Sequence, residues 1–302
     1  MDPIGFHLVK VKLAMKRFGW EPRIEPVIES FVEPLPEPVL ELVPERSRRG
    51  SRDGRQKSSN KNTELPKFKL TYKPFGPSAI LVEWPAKIEE AILHDILAFE
   101  ESIDKGRIID TIIAYNSLTL RYRSKIDFDS EIDRLKEVYK SKRKIKEPES
   151  KTWLIPVCYD LDFGLDLEEI ARAKNLSVNE VIALHTDPDY LVYFIGFQPG
   201  FPYLGGLHQK IHTPRKASPR LRVAQGSVGI GGEQTGVYPQ ESAGGWNILG
   251  RTPTDFFDLK RPEPCFAKPG DRIKFEPIDR EKFQKIEAAV QEGSYKIKFR
   301  SL

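Results

Sequence analysis

Along residues 66–146, short strand-like apolar runs alternate with segments of helical apolar spacing, which predicts a small α/β domain. Short runs of β-branched and aromatic residues, separated by turn residues as at 74–78, are typical of strands. Apolar residues three or four positions apart, as at Ile92, Ile96 and Phe99, indicate amphipathic helices. The predicted strands are 67–72, 79–84, 107–115 and 117–123, and the predicted helices are 88–105 and 130–142.

Residues 147–278 carry a different pattern, in which short strands follow one another with few helices between them. Ser177 and Glu180 have the spacing of a capping box, which predicts the start of a helix at 178–185. A C-terminal amphipathic helix and tail is predicted at 279–302. The fold is therefore predicted to be α+β, with the small α/β domain followed by a β-barrel or sandwich-like body. The predicted strands are 152–159, 190–197, 221–224, 227–230, 246–249 and 272–275.

Residues 1–65 lack a pattern that could bury a core. Glutamates recur every four positions from Glu21 to Glu45, but prolines interrupt the helix that this spacing would otherwise favour. A stretch rich in Arg, Ser and Lys follows up to Asn62. This composition predicts a disordered extension. The extension could be an interaction tail, but a passive extension or a misassigned start is a simpler interpretation.

Charge and cysteine content exclude several classes of protein. The formal net charge is +4, but residues 44–61 alone carry +5, so the rest of the chain is close to neutral and no nucleic-acid partner is expected. Cys158 and Cys265 lie in no CxxC pattern, which argues against a disulfide scaffold or a zinc site. Neither a membrane span nor a signal peptide is predicted, so a cytoplasmic location is expected.

A glycine-rich block at 196–250 holds 12 of the 21 glycines and is the most informative part of the chain. Its run at 226–232 is not a P-loop, because no Gly-Lys-Ser/Thr follows, and Gln234 stands where a dinucleotide-binding motif needs its third glycine. Two interpretations stay open for this run: a backbone that approaches a ligand, or a bulge or tight barrel corner. The candidate backbone positions are Gly200, Gly229, Gly231 and Gly232.

The segment 197–203 predicts a rigid loop, because two prolines fix φ and Gly200 permits a sharp turn. Such a loop could form a pocket wall with Phe201 and Tyr203, or it could merely plug a barrel end. Gln198 could donate to and accept from an amide or a carboxylate. The segment therefore predicts a binding site for a small molecule.

Basic and imidazole side chains supply the candidate chemistry. His212 and Arg215 lie in a restrained His-Thr-Pro-Arg segment, and an arginine there could hold a carboxylate or a phosphate. Arg220 is more simply a solvated side chain. His185 follows a short helix and is either a general base or a structural residue. The five histidines are scattered, and no metalloprotease or serine-hydrolase motif is present, so no metal site is predicted.

Five segments together resemble one family. They are FIGFQPGFPYLGGL at 194–207, HTPR at 212–215, PRL at 219–221, GSVGIGGEQTGVYPQESAGG at 226–245, and the Trp246 that follows. This combination resembles the B subunit of bacterial 5-oxoprolinase. The same family includes allophanate hydrolase subunit 1 and KipI, an inhibitor of a sporulation histidine kinase.

The resemblance covers about residues 67–278 and implies a small α/β domain followed by a cyclophilin-like β-barrel. It also implies a companion barrel subunit similar to allophanate hydrolase subunit 2, and a YcsF-type third subunit. The implied reaction is the ATP-dependent opening of the lactam of 5-oxoproline to L-glutamate. Magnesium would be the counter-ion of ATP, and ATP would phosphorylate the lactam oxygen before water attacks.

Motif positions then select candidate site residues. His185, His212 and Arg215 are the catalytic candidates, and amide, carboxylate or ring contacts with the substrate are expected from a second set. That set is Gln198, Phe201, Tyr203, Gln234, Tyr238 and Trp246. Three other functions compete: a KipI-like inhibitor of a histidine kinase, a subunit in allophanate or urea metabolism, and a peptidyl-prolyl isomerase, which the fold alone would not establish.

Overall fold

The computed structural model describes residues 68–141 and 150–301, which belong to the compact unit Thr63–Leu302. The predicted extension at 1–65 and most of the charged segment at 140–151 lie outside the described residues. Among the helices that are described, none has the length and apolar character needed to cross a bilayer.

The first described stretch forms an antiparallel sheet covered by two helices. Its strands are β1 (Thr71–Pro74), β2 (Ala79–Glu83), β3 (Ile108–Ile113) and β4 (Ser117–Tyr122), and its helices are α1 (Glu90–Ser102) and α2 (Phe128–Lys140). The order in the sheet is β1-β2-β4-β3. Leu118 and Leu120 of β4 point to the same face, where they pack in one buried cluster with Ile92, Ile96 and Phe99 of α1.

One fully buried carboxylate links the elements of this small domain. Asp95 on α1 accepts hydrogen bonds from the Trp84 indole nitrogen and the Tyr139 hydroxyl, both at 2.7 Å. Trp84 follows β2 and Tyr139 lies on α2, so the carboxylate joins both helices to the sheet. A carboxyl group without hydrogen-bond partners would be costly to bury. The packing of this domain therefore depends on the two hydrogen bonds to Asp95.

The second stretch forms a closed β-barrel, as predicted. Its strands are β5 (Lys151–Cys158), β6 (Tyr190–Ile195), β7 (Pro202–Gly205), β8 (Arg220–Val223), β9 (Ser227–Gly231), β10 (Gln234–Val237), β11 (Ser242–Gly244), β12 (Asn247–Arg251), β13 (Arg272–Ile278) and β14 (Lys298–Ser301). Seven of them follow the order β12-β9-β10-β7-β6-β13-β5, and the pair Arg251–Cys158 joins β5 back to β12. The β5–β13 pair is parallel. Strands β8 and β11 form a separate two-stranded ribbon.

Side chains fill the barrel interior. Alternate residues of the strands, including Val192, Leu204, Ile230 and Phe275, are fully buried in one cluster. Two helices cover this cluster, α3 (Leu167–Lys174) and α4 (Val178–Thr186). The Ser177–Glu180 capping box forms at the start of α4, as predicted. Because side chains fill the interior, a ligand site is expected on the outside of the barrel.

The C-terminal residues add a helix, as predicted, and a strand that the pattern did not predict. The helix α5 (Arg280–Gln291) buries Phe283, whose ring lies 4.7 Å from that of Phe163. Strand β14 pairs antiparallel with the first half of β5, and Phe299 packs against Trp153 with 5.2 Å between ring centres. This strand covers the edge of β5 that β12 leaves free.

Candidate functional site

Glycines of the glycine-rich block leave room for aromatic rings on the outer face of the barrel. A Cβ on Gly231 would lie 3.0 Å from the Trp246 indole, and one on Gly236 would lie 3.1 Å from the Phe201 ring. The backbone does approach something closely here, but the approached group is the protein's own side chain. Gly232, with a φ of +67°, forms the tight turn from β9 to β10. The candidate Gly229 likewise lies against β12, because its Cβ would meet the backbone oxygen of Asn247 at 3.0 Å.

Four rings form one continuous surface, called the aromatic wall below. Phe201 lies at the centre, with 5.0 Å from its ring centre to that of Tyr203, 5.3 Å to Tyr238 and 5.4 Å to Trp246. Tyr203 also meets Trp246 edge-on at 6.0 Å. All four side chains are buried. The structure thus brings together four of the six residues predicted to contact a substrate.

The loop before the aromatic wall is tight and strained. The Gly196 N–H donates to the Phe201 carbonyl at 3.0 Å, which closes the loop. Phe197 adopts a φ of +63°, an unfavourable conformation for an aromatic residue, and 48% of it is exposed. Gly200 has a φ of +83° and lies against Phe257, where a Cβ would clash. The sharp turn expected at Gly200 is therefore present.

Two glutamine side chains flank the wall with unsatisfied acceptors. The side-chain oxygens of Gln198 and Gln234 are buried, and neither accepts a hydrogen bond from another described residue. Gln234 pairs with Gly231, so both residues face the side of the sheet that carries Trp246. A buried acceptor without a donor costs about 1–3 kcal/mol, and an amide N–H of a ligand could supply that donor.

The segment that carries Arg215 is fastened to the barrel on both sides. Thr213 and Gly232 exchange two backbone hydrogen bonds, of 3.2 and 2.7 Å. The side-chain amide of Asn247 donates to the Pro214 carbonyl at 2.9 Å. These bonds fix the path of the chain as it enters Arg215.

Arg215 consequently lies over the aromatic wall. Its guanidinium carbon is 5.5 Å from the centre of the Trp246 ring, within the range of a cation–π interaction. Burial raises the pKa of Tyr203 to about 12, although the Arg215 charge acts in the opposite direction. Burial also raises the pKa of Tyr238, again against the Arg215 charge. Both phenols therefore stay protonated at neutral pH and remain hydrogen-bond donors.

His212 lies close to this segment and has one ring nitrogen engaged. Its Nε2 is 2.9 Å from the Leu207 carbonyl oxygen. Because a carbonyl oxygen only accepts, Nε2 carries the proton and Nδ1 is the basic nitrogen of the neutral ring. The side chain is half-buried. His212 can thus exchange a proton only through Nδ1 while this bond persists.

His185 lies elsewhere, inside the barrel. Its Nδ1 is 2.8 Å from the Tyr159 hydroxyl and its Nε2 is 2.9 Å from the Thr235 hydroxyl. The ring stacks on Phe275 with 4.9 Å between centres. Burial lowers the pKa of His185 to about 3, so the ring is neutral throughout the physiological range. Thr235 points inward from β10 whereas Gln234 points outward, so β10 separates His185 from the aromatic wall; this placement favours its structural role over catalysis.

A buried ion cluster ties the end of the Arg215 segment to the barrel. Asp166 accepts two hydrogen bonds from Arg220, at 2.9 and 2.6 Å, and one from the Ile248 N–H at 2.7 Å. Lys216 lies 2.7 Å from the same carboxylate. Burial alone would raise the pKa of Asp166, but these bonds outweigh it and lower the pKa. The sequence alone does not reveal this cluster, because the partners of Asp166 lie more than 45 residues away in the chain.

Replacing Asp166 with asparagine is expected to destabilise the protein by about 3 kcal/mol at pH 7, since Arg220 and Lys216 lose their buried partner. The folded pKa of Asp166 lies below its unfolded value, so its contribution is complete above that unfolded value and is lost as the pH falls below it. Urea unfolding at pH 7 and pH 3 should show a smaller difference between the two proteins at pH 3. Equal differences at both pH values would contradict the ion cluster.

Two clefts of the described surface lie away from the residues of the aromatic wall. One of about 430 Å³ is lined by residues that include Cys158, Tyr159 and Arg280, and a second of about 200 Å³ lies beside Arg220 and Arg251. Neither contains a predicted catalytic or substrate-binding residue. The aromatic wall is a packed surface beneath Arg215, and the chemistry of its residues, rather than a large cavity, identifies it as the candidate site.

The glycine-rich strands do not fit the phosphates of ATP. The strands of the glycine-rich block, whose backbone could have held phosphates, are covered by the rings of Phe201 and Trp246. Within 68–141 and 150–301, no group of three His, Cys, Asp or Glu side chains is arranged to hold a metal ion. The glycine-rich strands therefore offer no phosphate loop.

Comparison with known proteins identifies the family. The model for the carboxyltransferase domain, subdomains C and D, matches residues 70–267. The 5-oxoprolinase B subunit of Escherichia coli O157:H7 is 44% identical over 205 residues, which cover 67% of this chain and 93% of that protein. The 5-oxoprolinase B subunit of Bacillus subtilis (strain 168) is 38% identical over 221 residues, covering 66% of this chain and 89% of that protein.

Solved structures agree with the fold. The crystal structure of TTHA0988 matches with 33% identity and a TM-score of 0.59, covering 67% of this chain; the chain spans about 40% of the length of TTHA0988. The urea carboxylase of Kluyveromyces lactis matches with a TM-score of 0.65 over 80% of this chain and 24% of that protein, at 21% identity, and supports the fold alone. By sequence, the chain belongs to the family of 5-oxoprolinase B subunits, within the wider family of carboxyltransferase domains of subdomains C and D.

Proposed function

We propose that this chain is the B subunit of an ATP-dependent 5-oxoprolinase, which opens the lactam of 5-oxo-L-proline to give L-glutamate. One observation carries the proposal. Three curated 5-oxoprolinase B subunits are 36–44% identical to this chain, and each is matched over 89–95% of its own length. Similarity over nearly the whole of each relative supports a shared role as a subunit of a hydrolase.

The aromatic wall suits the shape and polarity of this substrate. The lactam ring is small, and one face would lie over the aromatic wall beside Arg215. Its carboxylate would pair with the guanidinium of Arg215, and its N–H would supply the donor that Gln198 or Gln234 lacks. This arrangement would orient the substrate by its two ends.

In this proposal, His212 is the residue that transfers protons. Its Nδ1 is the nitrogen left basic by the bond to the Leu207 carbonyl, and it lies on the segment that leads to Arg215. His185 serves the packing of the barrel. The nucleotide, which supplies the driving force for opening an unreactive amide, is assigned to the partner subunits, since the rings of Phe201 and Trp246 cover the glycine-rich strands that could have held its phosphates.

The proposed partners are a companion barrel subunit similar to allophanate hydrolase subunit 2 and a YcsF-type subunit. The relatives carry the name of a subunit, which implies an assembly for those proteins. The proposed location is the cytoplasm, where the two free cysteines would stay reduced.

Co-expression with these two candidate subunits should give a complex that releases ADP and glutamate when 5-oxoproline is added. Omitting this chain is expected to reduce the activity to background, because one wall of the substrate site is then missing. Coupled assays for ADP and glutamate would measure both products. Full activity without this chain would remove it from the catalytic unit. Inhibition of a sensor histidine kinase, with no glutamate release from any mixture, would support the KipI-like role.

A further inference from the structure

A tyrosine of the small domain reaches the aromatic wall of the barrel. Tyr115 occupies the turn between β3 and β4, where the N–H of Ala114 donates to the carbonyl of Ser117 at 2.9 Å. Its ring is buried and meets Phe194 edge-on, with 4.9 Å between ring centres. It also meets Tyr203, a member of the wall, edge-on at 6.2 Å. The small domain thus contributes a side chain directly behind the candidate site.

Apolar contacts hold this turn against the barrel. Leu93 is buried in the same cluster as Tyr115 and the aromatic wall, and Leu97 and Ile113 pack against that cluster. Arg272 of β13 donates a hydrogen bond of 2.6 Å to Glu90 at the start of α1. Tyr115 therefore has a defined position relative to Tyr203, and a change in that turn is transmitted to the wall.

The charge of Arg215 reaches Tyr115 as well as the wall. Burial raises the pKa of Tyr115 well above its ordinary value, and the Arg215 charge lowers it in part, as it does for Tyr203 and Tyr238. Three protonated phenols from two domains therefore lie within electrostatic reach of one guanidinium. The pKa of Tyr193, another close neighbour of Tyr115, is also raised by burial, but the next largest cause is the negative charge of Glu90 rather than Arg215.

We propose that Tyr115 is a positioning residue for Arg215, through which the small domain sets how tightly the aromatic wall binds an anionic ligand. Tyr115 supports Tyr203 from behind, Tyr203 meets Trp246, and Arg215 stacks on Trp246. A carboxylate or phosphate group over Trp246 would pair with the guanidinium that this chain of contacts holds in place. The proposal rests on the proposed function only in naming that group as the carboxylate of 5-oxoproline.

Three probes separate this role from a general effect on packing. 5-Oxo-L-proline carries the carboxylate, pyrrolidin-2-one is the same lactam without it, and inorganic phosphate is an anion without the lactam. Calorimetric titration of the full chain and of its complex should show that Tyr115→Leu, which removes the ring that supports Tyr203, weakens binding of 5-oxo-L-proline about three- to tenfold. Binding of pyrrolidin-2-one should change less than about twofold. Tyr193→Leu is the matched control, because it removes a ring that belongs to the same cluster but is not part of the aromatic wall, and it should leave both affinities unchanged.

A second measurement repeats Tyr115→Leu in an Arg215→Met background. The substitution should weaken binding there by less than about a further twofold, because the guanidinium is gone. Equal losses for the lactam with and without its carboxylate would overturn the proposal, as would equal losses in both backgrounds. Binding of neither anion, on the chain or on the complex, would also overturn it. If phosphate binding depends on Tyr115 and Arg215 but no subunit mixture releases glutamate, the proposed function fails and the positioning role stands. A response to phosphate alone would assign the site to a phosphate group rather than to the acid of the lactam.

Discussion

Replacing Arg215 with methionine is expected to lower kcat/KM of the assembled complex for 5-oxoproline by about 100-fold, because a charged partner of the substrate carboxylate is lost. The methionine keeps much of the length and the contact with Trp246, so the thermal midpoint should change by less than about 2 °C. Steady-state kinetics at several 5-oxoproline concentrations, combined with thermal unfolding, would measure both effects. Most of the loss should appear in KM if Arg215 contributes binding that is equal in the ground and transition states.

The matched control for this variant is Arg222→Met. Arg222 is exposed and donates two hydrogen bonds to Glu241, at 2.9 and 3.1 Å. Exposed pairs of this kind contribute about 0–1 kcal/mol to stability, so activity and thermal midpoint should both be retained. Equal activity of the Arg215 and Arg222 variants would show that the substrate carboxylate is held elsewhere.

Replacing His185 with alanine is expected to destabilise the protein by about 3–5 kcal/mol, the largest stability effect predicted for a single residue in this chain. The substitution leaves a cavity beside Phe275 and removes one hydrogen bond each from the hydroxyls of Tyr159 and Thr235, the second of which still donates to the Gly229 carbonyl. Urea unfolding would measure the loss. At low temperature, where the variant is still folded, its activity in the complex should be close to that of the wild type. An inactive variant with normal stability would reverse this conclusion and make His185 a catalytic residue.

The pH dependence of stability provides an independent check on His185. Its pKa is about 3 in the folded protein and about 6.5 when unfolded, so the unfolded state binds the extra proton between these values. Stability should therefore fall with decreasing pH across this window, by up to about 1.4 kcal/mol per pH unit from this residue. The variant without the imidazole should lack that contribution. His208→Ala, at an exposed histidine, is the matched control and should keep the full slope.

Elements defined by local contacts could be predicted from the sequence. The capping box at Ser177 and Glu180 depends on residues three positions apart, and α4 begins where that spacing predicts. Strands β7 and β10 were missed because they are four residues long and contain glycine or proline, so they lack an apolar run. Strand β14 was missed because its residues are exposed and only its pairing with β5 defines it.

The aromatic wall was largely predictable because its residues lie in restrained segments of unusual composition. The sequence could not reveal that Gly231 and Gly236 face those rings, since this requires the register of β9, β10 and β12. Tyr115 could not be found either, because it reaches the wall from another domain. For His185 the sequence left catalysis and packing open, since burial cannot be read from a single histidine.

Strand β5 has a consequence for the order in which the chain folds during synthesis. Its partners β12, β13 and β14 all follow it by roughly 90 residues or more, whereas the four-stranded sheet is complete once residue 122 has been made. At typical ribosome speeds, the apolar strand β5 waits on the order of 10 s before β13 and β14 emerge. The small domain folds during that interval. The barrel's first strand lacks its native partners during that interval, so we expect it to be a point at which the nascent chain can pair with another molecule.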